Sequence, residues 1–289
     1  MNLKALIRKA KQENGDAKSP AGAAGAPSPA LAERLEEVAS LALPPALTLV
    51  TAESAVGSLP TVCLLEEWLP PEAESQLLAN FRARAHDFVQ LRGKRTARYG
   101  GNPGPPFEPE PLPSWLAQLC EAVAATTSEL DPGASCPNHV LVNHYRPGEG
   151  IMPHTDGPAY TPRAVIVSLG SAAVFDFWTD HAHAASGRPP ALSLLVPPRS
   201  LLLFIGEAYS GHLHGIADRR YDDLGGAVAN WSPEARAHRT ASGGRPDWAR
   251  RQLESAACPE EAELPASCGL RREERISLTI RHVPLPEPA

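Results

Sequence analysis

From Val140 onward the chain is written in short apolar or alternating runs, VLVNHY, AVIVSLGS, VFDFW, LSLLV and SLLLFIG. Each is closed by Pro, Gly or Ser, and RISLTIRHV repeats the texture near the end. Runs of this length are strands, and turns this frequent bring each strand back beside another. No helical period alternates with them and no GxGxxG motif occurs, which disfavours a parallel Rossmann sheet. The helical signals come earlier. TVCLLEEWL reads as a short buried strand, and PPEAESQLLANFRARA as a helix opened by proline with acidic residues in its first turn. A second helix starts at Ser114, with Trp115, Leu116, Leu119, Cys120 and Val123 on one face. Helices in front of many short strands predict an α+β domain: a helix-supported jelly roll, or double-stranded β-helix, whose two sheets enclose a ligand cavity.

A chain of 289 residues that is 43% hydrophobic can bury the core such a domain requires. The domain is expected over 60–289, behind an extension at 1–59. That extension opens on the basic amphipathic segment MNLKALIRKAKQEN. It continues through a Gly, Ala, Ser and Pro linker at 15–30 to a helix, ALAERLEEVASLAL, which Pro44 and Pro45 end. Residues 218–274 are polar and charged, the texture of a long surface insertion, with a helical stretch around Trp248 to Leu253. Five scattered cysteines with no CxxC argue against a disulfide framework or a cysteine zinc site. They fit a reducing compartment, the cytoplasm or nucleus, although the basic start also has the texture of an organelle-targeting peptide. No run is long enough to span a membrane, so no membrane partner is expected, and a monomer is.

A net charge of −6 excludes a protein that coats nucleic acid over its whole surface, but it leaves room for a local basic patch. DFVQLRGKRTARYGG is such a patch, with Arg92, Lys94, Arg95 and Arg98 beside Tyr99. It reads either as a solvated charge run or as a basic loop with an aromatic, suited to phosphate contact and base stacking beside an active site.

The stretch NHYRPGEGIMPHTD, residues 143–156, carries two pairs at strand spacing, Asn143 with Tyr145 and His154 with Asp156. Side chains two apart on a strand share a face, so His154 and Asp156 can reach one metal ion. A distant second histidine would complete the two-histidine, one-carboxylate set of non-haem iron(II) oxygenases, which leaves positions open for a co-substrate and O2. Spacing leaves both His212 and His214, in AYSGHLHGI, as candidates. His214 is favoured because Gly215 and Ile216 after it can close a strand, with His212 behind it or facing solvent. His181 and His183, in a proline-flanked loop, are expected to be exposed. In RISLTIRHV, Ile276, Leu278 and Ile280 alternate with Arg275, Ser277, Thr279 and Arg281. An inward arginine offers a rigid fork for a carboxylate. Six residues of strand span about 20 Å, so Arg275 and Arg281 cannot grip the same carboxylate. Arg275, helped by Ser277, is assigned to the far carboxylate of a diacid, with Arg281 nearer the iron.

In this order, NHYRPGEGIMPHTD, LHGI and RISLTIR resemble the signatures of the AlkB-like Fe(II)/2-oxoglutarate dioxygenases. With VSLGS and PPRSLLLF they look most like the subfamily of the sixth eukaryotic AlkB homologue, over roughly Pro60 to Val283 without the insertion. The resemblance implies iron(II) on His154, Asp156 and His214, and 2-oxoglutarate at Asn143, Tyr145, Arg275 and Ser277, with Arg281 as the family's second arginine. O2 would be the further co-substrate. It also implies that Arg92, Lys94, Arg95, Arg98 and Tyr99 form a substrate lid. The expected reaction is oxidative removal of an N-methyl group from a base in single-stranded or flipped-out DNA or RNA. Rival expectations are a catalytically idle nucleic-acid-binding module and a protein hydroxylase or demethylase on the same core.

Overall fold

A computed structural model of the chain describes residues 59, 61–128, 130–225, 228–232, 246–254 and 269–285. The amphipathic start, the linker and the helix expected at 30–43 lie outside them. The strand signals resolve into two facing antiparallel sheets. The larger contains β1 (Val62–Leu65), β2 (Val89–Leu91), β3 (Lys94–Tyr99), β4 (His139–Tyr145), β6 (Arg163–Leu169), β9 (Leu201–Ile205) and β13 (Arg275–Arg281). Their order is β1-β9-β6-β13-β4-β3-β2. The smaller holds β5 (Ile151–His154), β7 (Ala173–Trp178), β8 (Leu192–Val196) and β10 (Leu213–Ile216), in the order β5-β10-β7-β8. This is the jelly roll that the strand pattern predicts.

Helices α1 (Pro71–Ala83) and α2 (Ser114–Thr127) lie where the sequence puts them. Pro71 and the acidic Glu72 and Glu74 open α1, where a missing N–H costs nothing and negative charge suits the helix dipole. Leu77 and Phe81 of α1 and Trp115, Leu119 and Val123 of α2 pack in one core with Val142, Val167 and Leu278 of the larger sheet. The opposite face of that sheet sends Ile166, Leu202 and Phe204 against Phe175, Phe177 and Leu194 of the smaller one.

Strand β13 sits between β6 and β4, so an edge position with solvated arginines is ruled out. Its alternation sorts the two faces. Ile276, Leu278 and Ile280 enter the helix-side core, each burial contributing about 1.5–3 kcal/mol. Arg275, Ser277, Thr279 and Arg281 line the space between the sheets.

Two stretches differ from the sequence reading. The basic segment after Phe88 is a β-hairpin rather than a loop: β2 and β3 pair across Arg92 and Gly93, and Gly93 has φ +82°, which glycine adopts without strain. Where it is described, the 218–274 stretch does more than cover surface. β11 (Tyr221–Asp223) pairs with β12 (Gly269–Arg271), and α5 (Asp247–Glu254) falls on the expected helical stretch. Leu224, Trp231, Trp248 and Leu270 cluster with Val174 and Leu195 on the outer side of the smaller sheet. The fully buried Asp222 accepts from Arg272 at 2.6 and 2.7 Å, from Arg219 at 2.8 Å and from the Val174 amide at 3.0 Å. The buried Gln252 accepts from the Ala172 amide at 2.9 Å and donates to the Arg271 carbonyl at 2.8 Å. A charged, polar composition hid these anchors because the residues that hold the stretch are few and widely spaced.

Candidate metal and co-substrate site

His154 ends β5, Asp156 lies two residues beyond it and His214 stands in β10. One ligand atom from each falls within 4.8 Å of the other two. The two histidines are direct cross-strand partners, and so are Ile151 and Ile216. Between those pairs β5 advances three residues and β10 two, so β5 carries a bulge that lets Ile151 and His154 both face inward despite their odd spacing. Backbone closeness is required here. A Cβ on Gly215 would stand 2.8 Å from the Ile151 carbonyl oxygen, and one on Gly150 would stand 2.4 Å from that of Ile216.

The charges suit ligation. The Met152 carbonyl lies 2.8 Å from His154 Nδ1, and a carbonyl can only accept, so Nδ1 carries the proton and the Nε2 lone pair is left available. Burial, with the neighbouring His154 adding to it, pushes His214 down to about 3, which keeps it in the neutral form a metal needs. Burial opposes the charge on Asp156, but the Arg281 guanidinium leads the charges that outweigh it and hold the carboxyl below its usual range. Asp156 Oδ2 and His214 Nδ1 are buried without a partner among the described residues. Two neutral imidazoles and an ionised carboxylate with an unused oxygen fit a divalent iron ion. His212 does not join them: it is buried, with Nδ1 3.1 Å from the Glu207 carbonyl. His181 is exposed and His183 partly so, both in the short helix α3 (His181–Ala185).

Beside this cluster a cavity runs across β4 and β13. Tyr145 is paired with Arg275 and Asn143 with Ser277, so the four residues proposed for the diacid stand in two adjacent rows. Arg275 is 3% exposed and donates Nη2 to Ser168 Oγ at 2.9 Å, while its Nε and Nη1 have no partner. Burial pushes its guanidinium down to about 10. The same cause lifts Tyr145 to about 12, with the Ser277 hydroxyl hydrogen-bonded to its phenol. Asn143 Oδ1 is likewise buried and unpartnered. A buried cation with two idle donors fits an incoming carboxylate. Arg281 instead donates Nη1 to Asp156 Oδ1 at 2.5 Å, so it stands at the metal end, as the strand spacing requires.

The five lid residues separate by strand parity. Lys94 faces the cavity with its ammonium 5.9 Å from the Tyr145 ring centre, and burial, reinforced by Arg281 and opposed by Asp156, lowers it to about 8. Arg92 and Arg98 are exposed. Arg95 and Tyr99 turn to the helix side. Arg95 meets His144, which also bonds Glu274. Tyr99 donates to Asp87 at 2.9 Å and sits edge-on to Trp115 at 6.2 Å. Reading the segment as a loop could not sort these faces; reading it as a strand sorts them at once. The sequence reading also missed Ser168, His139 and Tyr160. Ser168 lies in the VSLGS motif and His139 in the run NHVLVNHY, but neither was singled out there.

The model of the 2OG-Fe(II) oxygenase superfamily matches residues 72–281. Over 233 residues the chain is 34% identical to "Probable RNA/DNA demethylase ALKBH6" of Danio rerio, spanning 78% of this chain and 86% of that protein. It is 27% identical over 195 residues to "tRNA (carboxymethyluridine(34)-5-O)-methyltransferase alkbh8" of Xenopus tropicalis, covering 65% of this chain but 28% of that protein. The solved structure of OsALKBH1 aligns with a TM-score of 0.46 at 15% identity, over 77% of this chain and 98% of that one. With the jelly roll, the ligand cluster, the family model and the Danio rerio relative in agreement, the chain belongs to the 2OG-Fe(II) oxygenase superfamily, on its AlkB-like side, and is a dioxygenase that uses iron(II), 2-oxoglutarate and O2.

Proposed function

We propose that this dioxygenase removes N-methyl groups oxidatively from bases of single-stranded or flipped-out DNA or RNA. The observation that carries the reading is the β2–β3 hairpin. It puts exposed Arg92 and Arg98 on the same element whose Lys94 enters the cavity beside His154 and Asp156. A cationic rim that continues into the cavity suits a polyanion that must deliver one group to the ligand cluster. The name of the Danio rerio relative, a probable RNA/DNA demethylase, points the same way.

In this reading His154, Asp156 and His214 hold the iron. Arg275 and Ser277 hold the far carboxylate of 2-oxoglutarate, with Asn143 and Tyr145 beside it. Bound iron, with 2-oxoglutarate and O2, supplies oxidation of a C–H bond, and the co-substrate leaves as succinate and CO2. The protein orients the reactants and keeps water out: Phe175 stacks on His214 with ring centres 5.7 Å apart, and Phe204 lies 5.0 Å from the same ring. A hydroxylated N-methyl group then falls apart to formaldehyde and the free amine.

The test is formaldehyde release with iron(II) and 2-oxoglutarate across methylated DNA and RNA oligonucleotides and methylated peptides. Release from oligonucleotides is expected, with binding that weakens in salt and drops in the double variant Arg92→Ala/Arg98→Ala. Release from peptides alone overturns the nucleic-acid reading and leaves the dioxygenase assignment standing.

A further inference from the structure

We propose that Tyr160 is a positioning residue that limits Asp156 to a single metal-binding oxygen by clamping Arg281 against the other. The inference rests on His154, Asp156 and His214 being the metal ligands. Arg281 donates Nη1 to Asp156 Oδ1, and Oδ2 is the carboxylate oxygen left buried and without a partner. The hydrogen bond alone does not fix which oxygen Arg281 takes, because a carboxylate can rotate and a guanidinium presents several donors. The Tyr160 ring supplies the missing constraint. The Arg281 guanidinium carbon lies 3.8 Å from the ring centre, a close cation–π contact that holds its plane.

The ring is itself held. His139, fully buried on β4, packs against it with centroids 5.4 Å apart, and the Tyr160 hydroxyl lies 3.5 Å from His139 Nδ1. His139 is also the cross-strand partner of Arg281, so strand pairing brings ring, guanidinium and imidazole to one end of the sheet. Tyr160 follows Asp156 by four residues in the connection to β6, so the chain that carries the carboxylate also carries the clamp.

The consequence is chemical. Three protein ligand atoms on a six-coordinate ion leave about three positions open. 2-Oxoglutarate, chelating through its keto acid, would take two and leave one for O2. A carboxylate free to bind through both oxygens would take one of these, so that no position remained once the diacid was bound. The clamp therefore protects the vacancy that O2 needs and contributes little to holding the metal.

Counting waters on bound Mn(II) by water-proton relaxation, before and after 2-oxoglutarate, tests this without turnover. The wild type is expected to show about three exchangeable waters, falling to about one with 2-oxoglutarate. Tyr160→Phe keeps the ring face and should match it. Tyr160→Met, of similar bulk without a π face, should start near two and fall to about none, and Arg281→Met should behave the same way. If Tyr160→Met keeps wild-type water counts while melting at a lower temperature, the ring only packs the loop and the proposal is overturned. If Tyr160→Met does not fold, Arg281→Met alone decides, and wild-type counts in it overturn the proposal equally. Loss of Mn(II) binding in the unaltered protein would instead overturn the ligand assignment on which it rests.

Discussion

Replacing Arg275 with methionine should make the metal-free protein more stable and at the same time destroy its hold on 2-oxoglutarate. Arg275 is 3% exposed, burial pushes its guanidinium well down, to about 10, and two of its donors are unpartnered. A displacement of that size corresponds to about 3 kcal/mol by which burial disfavours the charged form. Methionine has similar reach and no charge, so it removes that cost. The loss of the 2.9 Å bond to Ser168 returns about 1.5–2 kcal/mol of it. The net gain is about 1 kcal/mol, which raises the melting temperature of a domain this size by roughly 2–4 °C. For co-substrate binding the sign reverses. Losing a buried, charge-assisted partner costs about 2–4 kcal/mol, on the order of 30- to 1,000-fold in the dissociation constant. Thermal melts of the metal-free protein and calorimetric titration of 2-oxoglutarate into the Mn(II) form measure both quantities. The reasoning is refuted if the variant melts lower, as a cored protein does, or if it binds 2-oxoglutarate as tightly as the wild type.

Gly215→Ala places a methyl group 2.8 Å from the Ile151 carbonyl and must part β5 from β10, so Mn(II) affinity should fall by on the order of 10-fold with secondary structure unchanged by circular dichroism. Unaltered affinity would show that the strand spacing does not set the ligand geometry. Burial, helped by Arg281 and Arg98, holds His139 down to about 3, whereas the unfolded chain titrates near 6.5. Between those values the unfolded state binds the extra proton, so stability is full above about pH 6.5 and falls as the pH drops, by about 2 kcal/mol at pH 5. His139→Leu should flatten that slope in urea titrations at several pH values, and an unchanged slope counts against a neutral buried His139. Trp248→Ala should cost about 3 kcal/mol in urea unfolding, because Trp248 is 4% exposed and packs the described part of the 218–274 stretch against Val174 and Leu195 of the smaller sheet. A cost under about 0.5 kcal/mol would mean that the stretch does not dock in solution.

What the sequence revealed and what it hid divide along the range of the signal. The alternation of RISLTIR is local, since a period of two shows within a few residues, and both faces of β13 could be assigned from it, whereas Asp156 reaches the ligand cluster from beyond the end of β5 and not from the strand face its spacing suggested. The division of Arg95 and Tyr99 from Lys94 was equally local, but recognising it required seeing DFVQLRGKRTARYGG as a hairpin, and its charge obscured the period. The β5 bulge was out of reach, because an extra residue in one strand is defined only against its partner. The docking of the described parts of 218–274 was hidden for the same reason: Asp222 looks like any surface aspartate until Arg272, fifty residues on, closes over it. Tyr160 carries no motif, and its role arises from a guanidinium that lies far along the chain.

The two arginines of β13 show how similar residues on one strand face acquire different tasks. Arg281 meets a carboxylate supplied by the chain itself and is paired with it at 2.5 Å. Arg275, six residues away, donates to the Ser168 hydroxyl and stacks on the Tyr145 ring, with no carboxylate hydrogen-bonded to it among the described residues. Two of its donors have no hydrogen-bond partner among the described residues, and discrimination follows from that difference. A 2-oxo acid with a single carboxylate can bind at the ligand cluster but leaves Arg275 buried and unpaired, a penalty of about 2–4 kcal/mol relative to the diacid. In the proposed arrangement, the preference for 2-oxoglutarate over shorter keto acids comes from a cation that the fold buries with two donors left idle. The stability sacrificed at Arg275 and the selectivity gained there have the same physical origin.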